Sequence, residues 1–449
     1  MRQIAHFDLD TFFVSVERLK NKQLIGKPVL VGGSGDRGVV AACSYEARRF
    51  GIHSAMPMAL ARRLCPEAIV IRGDMESYSR YSHLVTEIMQ DTVPLFEKAS
   101  IDEFYIDLSG MDKFFGCSLF ARELKKKVLK ESGLIVSYGL AGNKLISKVA
   151  TDEIKPDGQL EVAIGNEKVF LAPLSVGKHP CIGKEIAYKL VRRGVETIRT
   201  LSEIPIEMLE TMLGATGIDL WRKANGLDDT PVIPYREQKS ISTERTFETD
   251  TINLGFLHAE LVRMTESVGF ELRRQDRLTA CITVKLRYSN FDTVARQKTI
   301  DFTNADHLLL PVAQSLFEKL YDRRLLIRLL GVRLTRLIPG NYQIKLYEDT
   351  QEAIRLYQSI DSIKRQYGEK AIFRAVGIRA ARPALPPPSH ARAARPALPP
   401  PSHARAAHPA LPPPSHAHAG RPLPRASPLP RGGTTRDSPT VITGQKSGP

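Results

Sequence analysis

The sequence predicts an α+β multidomain fold built around two split βαβ units, and three observations predict it. The first is length, because 449 residues suffice for about three domains with cores of their own. The second is the order of elements before Lys155: strand, helix, strand, strand, helix, strand, with residues 22–75 inserted. The third is a return of that order between Ser240 and Leu337, after a helical stretch.

Composition narrows the partners. The net charge is +15; nine of the 64 Lys/Arg and one of the 49 acids fall from Ala380 onward, leaving 55 and 48, or +7, before it. A basic body is compatible with nucleic acid. Cys43, Cys65, Cys117, Cys181 and Cys281 show no Cys-x-x-Cys spacing, so neither a zinc site nor a disulfide framework is indicated, and a reducing, cytoplasmic location fits best. No apolar run approaches the ~20 residues of a membrane span, and Asp8 and Asp10 stand where a signal peptide needs its apolar segment, so the expectation is a soluble chain.

Taken in order, residues 3–9 read as a buried strand and Thr11 to Leu19 as the start of a helix, opened by Phe12 and Phe13, which residue type alone assigns equally to core packing. Between 22 and 75, small residues precede Tyr45, Arg48 and Arg49. That pattern suits holding a flat ring and clamping phosphates; a solvated helix face is the alternative. A helix at 76–92 leads to the strand-like run Ile101 to Leu108, which contains the adjacent acids Asp102 and Glu103. Acids at a hairpin tip are commonly just solvated. Together with Asp8 and Asp10, however, they offer three or four carboxylates for one hard cation site. A helix at 118–131, a strand from Leu134 to Leu140 and a helix from Asn143 follow; Lys144 and Lys148 share a face of the last, and Lys155 lies just beyond it.

Residues 173–231 read as a small helical domain containing Pro180-Cys181-Ile182-Gly183-Lys184 and then an amphipathic helix with Ile186, Leu190 and Val191. The second unit comprises a strand at 240–247, a helix at 256–274, strands at 279–288 and 293–302, a helix at 308–321 and a strand at 328–337. Leu257, Leu261, Met264, Val268 and Leu272 form one helical stripe, while Ala280, Ile282, Val284, Leu286 and Tyr288 alternate with Cys281, Thr283, Lys285 and Arg287. Ala353, Leu356 and Ile360 have helical spacing. From Ala380 three near-identical 13-residue copies of an Ala/Arg/Pro-rich unit form a tail that cannot build a core.

Asp8-Leu9-Asp10-Thr11-Phe12-Phe13, Ser44-Tyr45-Glu46-Ala47-Arg48-Arg49-Phe50-Gly51, Ser100-Ile101-Asp102-Glu103 and Lys155-Pro156-Asp157-Gly158 stand in the order seen in Y-family translesion DNA polymerases. From Met1 to Asp349 the chain resembles the bacterial DNA polymerase IV class. The resemblance implies a right-hand polymerase: a split-βαβ palm at 1–21 and 76–165, small fingers at 22–75, and a helical helix-hairpin-helix thumb at 166–231. A linker at 232–239, a split-βαβ little finger at 240–340, a clamp-binding peptide at 341–349, a short helical extension at 350–379 and a disordered repeat tail at 380–449 complete it.

The same resemblance implies the chemistry. Asp8, Asp102 and Glu103, with the Leu9 carbonyl, hold two Mg²⁺ for template-directed addition of deoxynucleotides to a primer, at low fidelity and without proofreading. Asp10 braces the backbone. Tyr45, Arg48 and Lys155 contact the triphosphate, Phe12 offers backbone to it, and Phe13 is the steric gate against a ribose 2′-hydroxyl. Gly183, Lys184, Lys285, Arg287 and Arg333 contact DNA, and Gln343, Leu346 and Tyr347 bind the sliding clamp. Primer–template DNA, deoxynucleoside triphosphates and the clamp are thus the implied partners of a monomer that binds no membrane. Two departures stand out: Ala42 where many relatives carry threonine, and Cys181 where they carry glycine. A catalytically silent clamp-tethered scaffold and a nucleotide cyclase on a similar palm are the rival readings.

Overall fold

The structure, a computed structural model, describes residues 2–33, 35, 37–111, 116–321, 325–340 and 350–378. Gln343, Leu346 and Tyr347, expected to bind a clamp, and the repeat tail lie outside the described residues.

β1 (Ile4–Leu9) is buried along its whole length, and Thr11, at φ 43°, turns the chain sharply into α1 (Phe12–Lys20). That left-handed conformation costs a non-glycine residue roughly 1–2 kcal/mol. The inserted region holds β2 (Val29–Gly32), β3 (Val40–Cys43), α2 (Tyr45–Arg48), α3 (Met58–Leu64) and β4 (Ile69–Ile71). Its three strands form a sheet in the order β3-β2-β4 over a core of Leu30, Val40, Cys43, Ile52 and Met58.

The chain then returns with α4 (Met75–Thr92), β5 (Phe96–Lys98), β6 (Glu103–Asp107), α5 (Cys117–Ser132), β7 (Val136–Ala141), α6 (Lys144–Glu153) and β8 (Gln159–Glu161). These complete a sheet in the order β5-β6-β1-β7-β8, with β1 central and antiparallel to both neighbours. Alternation assigns the two faces. Ala5, Phe7 and Leu9 join Val14, Val16, Tyr78, Met89, Leu124 and Tyr138 in one core, so His6 and Asp8 point to the face that α6 covers. Gly139 permits that cover, since a Cβ there would stand 2.3 Å from the Ser147 carbonyl oxygen.

Next come α7 (Glu167–Leu171), α8 (Lys184–Val191), α9 (Ile198–Glu203), α10 (Ile206–Leu213) and α11 (Ala215–Ala224), which share one apolar cluster with Leu145, Ile146 and Val149 of α6. The following segment is pinned to the first sheet. Buried Glu97 accepts from Lys144 Nζ (2.6 Å) and from the Ile233 amide (2.9 Å), and pairs with Arg236 at 2.8 Å.

The second unit contains β9 (Ser240–Thr251), α12 (Leu254–Arg274), β10 (Arg277–Tyr288), β11 (Thr293–Thr303), α13 (Asp306–Leu320) and β12 (Ile327–Pro339). Its element order matches that of the first, but the strands lie β11-β10-β12-β9, which leaves the first strand at an edge instead of at the centre. Both helices bury their apolar stripes on one face of this antiparallel sheet, including Leu257, Leu261, Met264, Val268 and Leu272.

Finally α14 (Thr350–Tyr367) and α15 (Ala375–Ile378) pack on this unit. The docking face of α14 is mixed: of the apolar spacing Ala353 and Ile360 are half-buried and Leu356 is 58% exposed, whereas Tyr357, Asp361 and Lys364 are buried. The cause is Arg273 of α12, which bonds both Asp361 (2.8 Å) and Asp306 (2.9 Å) and lies 4.7 Å from the Tyr357 ring centre. A buried guanidinium needs acids on several sides.

Candidate active site

The β1–β6 register sets Asp8 directly opposite Glu103. β6 begins at Glu103, not within the Ile101 run, so Asp102 lies just before the strand, its carbonyl still accepting from the Leu9 amide at 3.0 Å. Ser100 organises this corner: its hydroxyl accepts from the Glu103 amide (3.1 Å) and donates to Asp102 Oδ1 (2.5 Å). Two neighbouring acids thereby escape the strict alternation of a strand.

The donor atoms that converge within 4.8 Å are those of His6, Asp8 and Glu103. Among the described residues Asp102 is not part of this group, its carboxylate being held by Ser100, while His6, which the acid pattern does not single out, is. Two lysines rest on the cluster. Lys155 Nζ is 2.7 Å from Asp8 Oδ2 and 3.1 Å from Asp152 Oδ1, and Lys148 Nζ is 2.7 Å from Glu103 Oε1.

Burial pushes the Asp8 carboxyl up to about 7; Lys155 opposes the shift, while Glu103 and Asp102 add to it. Burial also pushes Glu103 up, but the His6 imidazole and the Lys148 ammonium outweigh it and hold the group below the usual carboxylate range. In the case of Lys155, Asp8 and Asp152 outweigh burial and raise it. The two ammonium groups thus offset part of the cluster's negative charge.

Asp10 ties the surroundings together. Its carboxylate accepts from Tyr45 OH (3.2 Å), Ser137 Oγ (2.9 Å) and the Asp157 amide (2.6 Å), so it joins α2, β7 and the loop after Lys155. Ser44 caps α2 by accepting from the Ala47 amide, and the Arg48 guanidinium carbon lies 4.8 Å from the Tyr45 ring centre. Phe12 is buried. Phe13, half-buried, stacks on Tyr78 at 4.4 Å, and Tyr78 OH donates to Glu17 at 2.8 Å. Ala42 packs against the core and places no hydroxyl there.

The basic residues expected at DNA lie elsewhere. Gly183 caps α8, whose first residue is Lys184; beside it Cys181 Sγ accepts from Lys223 Nζ at 3.3 Å. On the open face of the second sheet Lys285 pairs with Glu244 at 3.0 Å, Arg287 donates to Thr293 Oγ1 at 2.9 Å, and exposed Arg333 lies opposite Thr283. Gly331 permits the first of these, because a Cβ would meet Glu244 Cγ at 2.7 Å. Among the described residues, no helix is long and apolar enough to cross a membrane.

Residues 7–152 match the impB/mucB/samB family, and residues 238–346 match that family's C-terminal domain. The DNA polymerase IV of Dehalococcoides mccartyi (strain CBDB1) is 38% identical over 376 residues, covering 83% of this chain and 96% of that protein. The DNA polymerase IV of Treponema denticola is 35% identical over 371 residues, covering 82% and 92%. Among solved structures, the Y-family DNA polymerase chimera Dbh-Dpo4(243-245)-Dbh superposes with a TM-score of 0.69 at 26% identity, over 75% of this chain and 100% of that one. An insertion ternary complex of Dbh DNA polymerase gives a TM-score of 0.56 at 26% identity with the same coverage.

Proposed function

The chain belongs to the impB/mucB/samB family of Y-family polymerases and is a DNA-directed DNA polymerase of the translesion, polymerase IV class; on that premise we propose that it extends primers by two-metal nucleotidyl transfer. Low fidelity, absence of proofreading and tethering to the sliding clamp through Gln343, Leu346 and Tyr347 belong to the same reading.

The observation that carries it is Asp8 facing Glu103 across adjacent strands, with Asp102 next in the chain and ammonium groups resting on both paired acids. This donor set fits a hard cation, which takes oxygen ligands and competes well with an ammonium at a carboxylate pair. Bound by Asp8, Asp102, Glu103 and the Leu9 carbonyl, two Mg²⁺ would supply charge stabilisation at the attacking and leaving oxygens.

The chain's own residues do the rest. Lys155 leaves Asp8 for the incoming triphosphate, where Tyr45 and Arg48 meet it and the Phe12 backbone contributes an amide. Asp102 turns from Ser100 toward Asp8. Phe13, braced by Tyr78, excludes a 2′-hydroxyl. Asp10 keeps the Tyr45 and Lys155 segments at fixed separation. Gly183 and Lys184 at the α8 N-terminus, with Lys285, Arg287 and Arg333 on the open sheet, hold the phosphates of the primer–template.

Primer extension by the full chain with Mg²⁺ and deoxynucleotides tests the activity, and no extension overturns the reading. Adding the clamp tests the tether. Gln343→Ala, Leu346→Ala and Tyr347→Ala together should abolish stimulation by the clamp, and a variant still stimulated overturns that part alone.

A further inference from the structure

β1 carries a second buried polar group on the face that holds Asp8. His6 is fully buried, lies two residues before Asp8 and therefore points the same way. Its Nδ1 is 2.9 Å from the Thr151 hydroxyl of α6, and its ring lies 4.6 Å from that of Tyr105. The other nitrogen, Nε2, faces Glu103 Oε2 at 3.6 Å and makes no hydrogen bond among the described residues. A buried nitrogen left unpaired costs about 1–3 kcal/mol. The polar group it faces is the carboxylate whose other oxygen Lys148 holds at 2.7 Å.

We propose that His6 is a positioning residue for Glu103, a fixed Nε2–H donor behind the carboxylate that orients it toward the cation site, with Thr151 holding Nδ1. The proposal rests on the reading of Glu103 as a cation ligand. Its physical basis is the contrast between the two donors that flank Glu103. Lys148 has a flexible side chain that can withdraw when a cation arrives. The imidazole, clamped between Thr151 and Tyr105, cannot.

The Thr151 hydroxyl has one proton and three acceptors in reach, Nδ1 and the His6 and Ser147 carbonyls; the Glu103 carboxylate facing Nε2 favours the ring proton on that nitrogen, and the hydroxyl then donates to Nδ1. Closing the gap to a hydrogen bond of about 2.8 Å requires a carboxylate shift of under about 1 Å. A group that holds a ligating carboxylate from behind governs both its direction and its basicity.

Three variants of the full chain test this with primer–template and incoming nucleotide. His6→Leu keeps the bulk and removes both nitrogens; His6→Gln restores an amide donor near the position of Nε2; Thr151→Val removes the hydroxyl that holds Nδ1. Mn²⁺ affinity is read by electron paramagnetic resonance on a dideoxy-terminated primer, so that no turnover enters, and kcat and KM are read separately. His6→Leu should lower both kcat and Mn²⁺ affinity by about 10- to 100-fold. KM for the nucleotide should stay within about two-fold. His6→Gln should recover most of both losses, and Thr151→Val should fall between.

Wild-type kcat and Mn²⁺ affinity in His6→Leu would overturn the proposal, as would His6→Gln as impaired as His6→Leu at an unchanged melting temperature. Where His6→Leu fails to fold, the other two decide: His6→Gln near wild type with Thr151→Val reduced supports it, and Thr151→Val at wild-type values overturns it. Glu103→Ala separates the levels. If that variant is active, the reading of Glu103 fails; if it is inactive while His6→Leu is normal, the positioning role alone fails.

Discussion

Lys155 Nζ stands 2.7 Å from Asp8 Oδ2, an ion pair between the residue proposed for the triphosphate and the residue proposed for the cation. The two roles exclude this pair, so Lys155 must move before either is performed. Lys155→Met should therefore lower kcat/KM for the incoming nucleotide by about 10- to 100-fold, the value of one charge-assisted bond. Single-nucleotide incorporation kinetics check it. An unchanged nucleotide dependence would make Lys155 a counter-ion alone.

Phe13 stacks on Tyr78, and Tyr78 is tied to Glu17, so the Phe13 ring has little freedom to yield to an added hydroxyl. Phe13→Ala should raise ribonucleotide incorporation relative to deoxynucleotide by about 100-fold, the scale of a steric discrimination of a few kcal/mol. Competition between the two sugars at one template base reads it directly. Unchanged selectivity would remove Phe13 from the gate.

Arg273 is shared by buried Asp306 and Asp361. Arg273→Met strands both carboxylates and should destabilise the second unit by about 3–5 kcal/mol. Urea unfolding measures it, and limited proteolysis should show α14 released. A loss within about 0.5 kcal/mol, typical of an ordinary surface change, would contradict the buried network.

His179 is buried; burial holds it down at about 4 against an ordinary 6.5, and nearby Lys223 adds to the shift. The unfolded chain accepts a proton below pH 6.5 that the folded chain refuses until about pH 4. Stability is thus fully present above the higher value and falls as pH drops through the window, by about 3 kcal/mol in total. Urea unfolding between pH 7 and pH 4.5 should show a steeper loss in the wild type than in His179→Leu. Equal slopes would contradict the assignment.

Much of this architecture is legible in the sequence because it rests on periodicity. The stripe from Leu257 to Leu272 and the alternation around Val284 are local patterns that burial enforces. Strand order is not local. Both units share one element sequence, yet β1 is central and β9 lies at an edge, a choice made by pairing across the whole chain. β8, only three residues long, offers no period to read.

At the site, Asp8 and Glu103 stand out as acids in apolar strands. His6 passes for a core residue, although its two-residue spacing from Asp8 signals a shared face. The polar part of the α14 docking face is hidden because the partner of Asp361, Arg273, stands 88 residues before it.

The central claim is that Asp8, Asp102 and Glu103 form one cation-dependent centre for nucleotide addition. Single-turnover incorporation by the alanine variants at each position, with primer–template affinity measured alongside, tests it most directly. The account predicts that each loses at least about 1,000-fold in rate, the scale of removing electrostatic stabilisation at the reacting oxygens, with DNA affinity retained. Near-normal incorporation by any of the three would contradict it.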